Sequence, residues 1–213
     1  MPQSSSPRHL SSHLRSDSEL LHAREDKDFD EVYPLPIRDL SGPHWSPVNV
    51  CRLAAKLLAP KPGVRVLDIG CGPGKFCMVG AAVTAGHFTG IERRLRFVKT
   101  ARDLVERYGL TTVQIIHGNV TDIDFQDYDA FYLYNPFEEN VLPPLRIDSD
   151  VETGPNLYME YVQCVQHQLR MMPTGTRVIT YSGDAAEIPA GYVCEQMAFD
   201  DELKLWVKHD TQR

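Results

Sequence analysis

Pairs of cysteines at C-x-x-C spacing are missing from this chain, and its five cysteines, Cys51, Cys71, Cys77, Cys164 and Cys194, are odd in number. That pattern argues against a zinc site or a disulfide framework and fits a reducing compartment. Apolar runs near the ~20 residues that cross a bilayer are also missing, as is a signal-like apolar stretch near the N-terminus. A cytoplasmic protein with no membrane segment is therefore expected. Positive charge is scarce as well. The 22 Lys and Arg stand against 29 Asp and Glu, a formal net charge of −7. This disfavours a general nucleic-acid binder, which needs a basic surface to neutralise phosphates.

What is present describes a globular chain. With 213 residues, 42% of them hydrophobic, it can hold a core without disulfides or metal. Residues 1–30 are rich in Ser, Arg, His and acids, too polar to offset the entropy of ordering, so a flexible tail is expected there. Arg8, His9, His13 and Arg15 precede the first acid, and a solvated tail is preferred to a transit peptide. The folded domain is expected over 31–213. Pro34, Pro36 and Pro43 predict an extended lead-in over 31–45.

Ser46-Pro47 predicts a helix start, with the serine as cap and Val50, Leu53, Ala54, Leu57 and Leu58 on one face. After Pro60-Lys61-Pro62-Gly63, residues 64–69 read as a buried strand. A helix is expected from Lys75 to about Ala85, then strands near 87–91, 113–117, 130–134 and 176–181, with helices near 95–107 and 155–171. This alternation predicts an α/β fold, a doubly wound, mostly parallel seven-stranded sheet with helices on both faces. Residues 192–199 and 202–207 are separated only by the Asp200-Asp201 region and predict an antiparallel C-terminal hairpin.

The chemistry sits where the first strand ends. Asp68-Ile69-Gly70-Cys71-Gly72-Pro73-Gly74 has the pattern D-x-G-x-G-x-G, whose glycines let a ligand lie on the backbone beyond the carboxyl ends of the strands. Nicotinamide-dependent oxidoreductases want G-x-G-x-x-G, and counting from Gly70 puts Lys75 at the third glycine. Residues 46–208 resemble the class I S-adenosylmethionine-dependent methyltransferases, whose first motif is this acidic residue and glycine loop. The resemblance implies S-adenosylmethionine as cofactor, lying against Gly70, Cys71, Gly72, Gly74 and Phe76, with Asp68 at its amino acid end. Glu92, beside Arg93 at the next strand tip, offers two acceptor oxygens for the ribose hydroxyls. Asn119 and Val120 stand where the family contacts adenine, with Asp122 as the alternative to Asn119. His117 reads as a strand-end histidine rather than a catalyst.

Tyr134-Asn135-Pro136-Phe137 resembles, without its second proline, the N-P-P-F/Y element of family members that methylate nitrogen. The resemblance implies that Asn135 aligns an amine and Phe137 packs on it. Asn-Pro is also ordinary turn chemistry, so other acceptors stay open. The acidic loop between Glu138 and Pro155 reads as a lid or recognition segment, and its charge hints at a cationic acceptor. Tyr33 and Trp45 are alternative substrate walls, whereas Tyr158, Met159, Tyr161 and Val162 read as the buried face of a helix. A small-molecule or protein amine is favoured over nucleic acid as acceptor. A cofactor-binding scaffold or sensor without turnover is one alternative, because the binding residues are clear while no proton-accepting group is, and an NAD-dependent oxidoreductase, disfavoured by the glycine spacing and the terminal hairpin, is the other.

Overall fold

The computed structural model describes residues 17–210. Its helices are α1 (Asp17–Leu21), α2 (Asp26–Phe29), α3 (Leu35–Arg38), α4 (Ser41–His44), α5 (Val48–Leu58), α6 (Lys75–Val83), α7 (Leu95–Arg107) and α8 (Pro155–Met171). The strands are β1 (Arg65–Ile69), β2 (His87–Glu92), β3 (Val113–His117), β4 (Ala130–Tyr134), β5 (Arg177–Tyr181), β6 (Tyr192–Ala198) and β7 (Leu203–Lys208). They form one seven-stranded sheet in the order β3-β2-β1-β4-β5-β7-β6. The first five strands pair in parallel, and β7 enters antiparallel to both β5 and β6. Strand order therefore reverses between β1 and β4, where loops leaving the carboxyl ends diverge and open a crevice.

Side chains alternate across this sheet with period two. Val66, Phe88, Tyr132 and Ile179 face α5, α6 and α7 in one core cluster. Leu67, Phe131, Leu133 and Val178 face Val162, Val165 and Leu169 of α8 in the other. The near-continuous apolar runs of the inner strands follow from this burial on both faces. The hairpin that closes the sheet turns through Phe199, Asp200 and Asp201, all at positive φ, and carries a bulge between Cys194 and Gln196.

The N-terminal segment departs from the expectation. Residues 1–16 lie outside the described residues, but from Asp17 onward the tail is helical. Leu20, Leu21 and Phe29 are buried in the same core as α5 and α6. The lead-in over 31–45 is likewise not extended: it is wound into the 3₁₀ turn Asp30–Val32, α3 and α4. Helices this short break apolar periodicity at each turn, and Pro34 and Pro36 serve as turn starters. Polar residues hold the segment. The Lys75 ammonium is buried against Asp26 (2.6 Å) and Asp30 (2.8 Å) and also reaches Ser41 Oγ at 3.3 Å. Asp26 in turn accepts the Val48 N–H at 2.9 Å. The cap of α5 is therefore this distant carboxylate and not Ser46, whose hydroxyl pairs with Tyr132 Oη at 2.7 Å.

Gly80 tests the packing between α6 and β2. A Cβ there would lie 2.4 Å from a Phe88 ring carbon, and Phe76 stands edge-on to that ring. Gly80→Ala gains about 1 kcal/mol of helix propensity and loses about 1–3 kcal/mol to overpacking. Net destabilisation is expected as a lower urea midpoint with an unchanged m-value.

Candidate functional site

The crevice at the strand reversal is a cavity of about 320 Å³, within the range of small-molecule sites. The loop after β1 forms its floor. Gly70 and Gly72 sit at φ +75° and +53°. A Cβ on Gly70 would meet Pro136 at 3.0 Å, and one on Gly72 would meet the Trp45 ring at 2.7 Å. Both the left-handed backbone and the close approach of neighbours thus require glycine at these positions.

Glu92 is the polar centre of the floor. Its Oε2 accepts the Gly72 N–H at 3.1 Å and its Oε1 accepts the Arg94 N–H at 2.7 Å. Burial raises its pKa, while these two donors favour the ionised form. Each carboxylate oxygen can accept again, so Glu92 remains able to take two further hydrogen bonds from the cavity.

One wall comes from the loop after β3 and from α8. Asn119 and Val120 line the cavity, whereas Asp122 is drawn aside, accepting the Asn119 N–H at 3.0 Å. Tyr161 Oη receives Asn119 Nδ2 and an Arg93 guanidinium N–H, each at 3.0 Å. Asn119 and Asp122 together form the capping box of the 3₁₀ turn Val120–Asp122. The facing wall is Tyr134, Asn135, Pro136 and Phe137 after β4, with Phe137 tilted against Tyr161 at 5.3 Å. Asn135 holds φ +40°, an uncommon backbone conformation for a side chain other than glycine.

Not every residue expected at the site reaches this cavity. Asp68, Cys71 and Phe76 line instead a neighbouring void of about 30 Å³, which shares His44, Trp45, Gly70 and Tyr134 with the cavity. The Cys71 side chain is turned to Gly90, and Phe76 is stacked on Tyr132 at 3.9 Å. Gly74 lines neither void: it is the left-handed N-cap of α6, packed toward Ala101. His117 faces outward and pairs with the Arg93 carbonyl.

Tyr161, read in sequence as the buried face of a helix, is buried and also lines the cavity, which its place in the sequence did not signal. Trp45, named as a wall, does line the cavity, and Pro43 and His44, which were not foreseen, line it too; Trp45 packs edge-on against Phe97 of α7 at 5.1 Å. Tyr33, the other aromatic named as a wall, is buried in the core away from the cavity. The acidic loop is largely neutralised from within. Arg94, itself buried, grips Glu139 at 2.6 Å and Asp148 at 2.9 Å, while Arg96 pairs with Asp148 and Asp150. The acidity read as a hint of a cationic acceptor is thus largely spent on these arginines, which leave the carboxylates of Glu138 and Glu152 without a basic partner among the described residues.

Burial raises the Asp68 pKa to about 8, opposed by the Cys77 thiol and reinforced by Glu92. The folded state therefore holds a proton that the unfolded state, at 3.8, releases. This contribution to stability is full below pH ~4 and is lost as pH rises through ~8. Urea midpoints of the ligand-free protein should fall over that window, and Asp68→Asn should flatten the decline.

Comparison with known proteins identifies the family. A family model described as "Methyltransferase domain" matches residues 60–206. Demethylmenaquinone methyltransferase of Listeria welshimeri is 24% identical over 136 residues, 63% of this chain and 51% of that protein. The chain thus spans about half the length of the curated relatives it matches. Among solved structures, an RNA methyltransferase from Salinibacter ruber in complex with S-adenosyl-L-homocysteine superposes with a TM-score of 0.51 at 18% identity, covering 74% of this chain and 88% of that one. TrmN from Thermus thermophilus gives 0.54 at 15% identity, covering 81% and 51%. With the parallel sheet, the glycine loop on its reversal point and a family model spanning most of its length, the chain belongs to the methyltransferase-domain family, with the class I Rossmann-like fold.

Proposed function

We propose that this protein is an S-adenosylmethionine-dependent methyltransferase acting on a nitrogen acceptor. The observation that carries the reading is the cavity itself, which brings Glu92 and the glycine loop together with Asn135 and Phe137. The residues fit the cofactor. Glu92 keeps acceptor capacity for two vicinal hydroxyls, and Asn119 with the apolar Val120 lines the wall where an adenine would lie. Asp68, across the shared wall in the small void, suits an ammonium through a bridging water, which would draw it to its ionised form. When bound, S-adenosylmethionine supplies a methyl group activated by an adjacent sulfonium.

The protein's task is then alignment. Asn135 accepts a hydrogen bond from the acceptor nitrogen and turns its lone pair toward the methyl carbon, while Phe137 limits the nitrogen's lateral freedom. Holding two reactants in line lowers the barrier by several kcal/mol without a covalent intermediate. The buried aromatic walls exclude water and face the cationic character that passes to the acceptor. Among the described residues no helix is long and apolar enough to cross a membrane. Five free cysteines support a cytoplasmic setting.

Calorimetric titration with S-adenosylmethionine, its demethylated product and NAD tests the cofactor. Micromolar binding of the first two, with none of NAD, is expected, and Glu92→Ala should weaken it about tenfold or more. Preference for NAD would overturn the reading. Asn135→Ala should lower turnover of an amine substrate by about tenfold to a hundredfold while leaving cofactor affinity within about twofold. Equal loss of both would refute this division of roles. Tight binding with no turnover on any amine would favour a sensor.

A further inference from the structure

Glu138 follows the Asn-Pro-Phe element directly and opens the 3₁₀ turn Glu138–Asn140. Its neighbour Glu139 is held by Arg94, but Glu138 lines the cavity and no basic side chain pairs with it among the described residues. Across from it lies Gly183, in the loop after β5. A Cβ on Gly183 would stand 2.2 Å from Asn135 Oδ1 and 3.0 Å from Glu138 Oε1, so the two oxygens converge on one bare stretch of backbone. Neither accepts a hydrogen bond from any described residue.

The surrounding backbone is bent to hold this arrangement. Asn135, Ser182 and Ala185 take positive φ of 40°, 59° and 57° alongside Gly183 at 74°. Such conformations cost energy and gather where a site is held ready for a ligand. The field there is negative. Asp184 stands in the same loop, as does Glu187, which is only 8% exposed. Burial first, and then Asp184, raises the Glu138 pKa, which suits a proton acceptor. Tyr134 and Phe137 line the same cavity.

Two converging acceptor oxygens with no donor between them complement a group bearing at least two N–H bonds and a positive charge. A hydroxyl or thiol offers one donor, and a ring carbon offers none. We infer that the methyl acceptor is a primary aliphatic amine that enters as its ammonium, held between Asn135 Oδ1 and Glu138 Oε1, and that Glu138 is the residue that takes its proton. The inference rests on the methyltransferase reading above. In the step, an N–H bond of the ammonium breaks and the proton passes to the Glu138 carboxylate. The freed lone pair forms the N–C bond as the C–S bond breaks and its electron pair stays on sulfur. The positive charge lost by the sulfonium appears on the methylated ammonium, and Glu138 releases its proton to solvent.

The test needs no knowledge of the natural acceptor. Sinefungin carries a C–NH₃⁺ group where S-adenosylmethionine carries S–CH₃, so it presents an ammonium to the acceptor side. Its binding to the full chain is compared with that of S-adenosylhomocysteine by calorimetry, in the wild type and in the isosteric Glu138→Gln. Wild-type protein should bind sinefungin about tenfold or more tightly than S-adenosylhomocysteine, and Glu138→Gln should erase most of that preference while the homocysteine analogue binds as before. An unchanged preference in the variant, or none in the wild type, overturns the role of Glu138 and leaves the methyltransferase reading standing. If neither compound binds the wild type, the methyltransferase reading itself fails and the inference falls with it.

Discussion

A single buried carboxylate organises this cavity. Glu92 ends β2, and its two oxygens take the N–H groups of Gly72 in the glycine loop and Arg94 at the start of α7. Both donors would otherwise be orphaned in a buried turn, and an unmet buried N–H costs about 1–3 kcal/mol. One side chain thereby ties two adjacent loops at the point where strand order reverses. Since each oxygen spends only one of its lone pairs on this task, the group that holds the loops keeps acceptor capacity toward the cavity.

Two buried cations extend the arrangement outward. Arg94, whose backbone is held by Glu92, draws in Glu139 and Asp148 and so folds the 138–150 loop against the cavity. Lys75, on the far side of the glycine loop, draws in Asp26 and Asp30 and so lays the N-terminal helices against α5 and α6. Buried ion pairs add little net stability, because desolvation offsets attraction, but loss of one partner is costly. Their service here is to choose one placement for two segments whose own helices are too short to stand alone.

Strain is concentrated where the loops after β4 and β5 meet the cavity. Asn135 and Ser182 are left-handed at the tips of adjacent parallel strands β4 and β5, and Gly183 leaves room for Asn135 where any side chain would collide.

The sequence by itself determined the parallel sheet, the antiparallel closing hairpin and the placement of Gly70, Gly72, Glu92, Asn119, Val120, Asn135 and Phe137 around one crevice. These are set by short-range patterning: strands buried on both faces read as apolar runs, and residues at successive strand ends share one edge of a parallel sheet. Tertiary structure alone decided that the segment from Asp17 is folded in, that Asp26 caps α5, that Cys71, Gly74 and Phe76 lie behind the cavity, and that Tyr161 reaches into it. Each of these depends on partners far apart in the chain, as between Lys75 and Asp30 or Asn119 and Tyr161. Local propensity carries no information about such pairs, because their energy exists only once the chain has closed the distance between them.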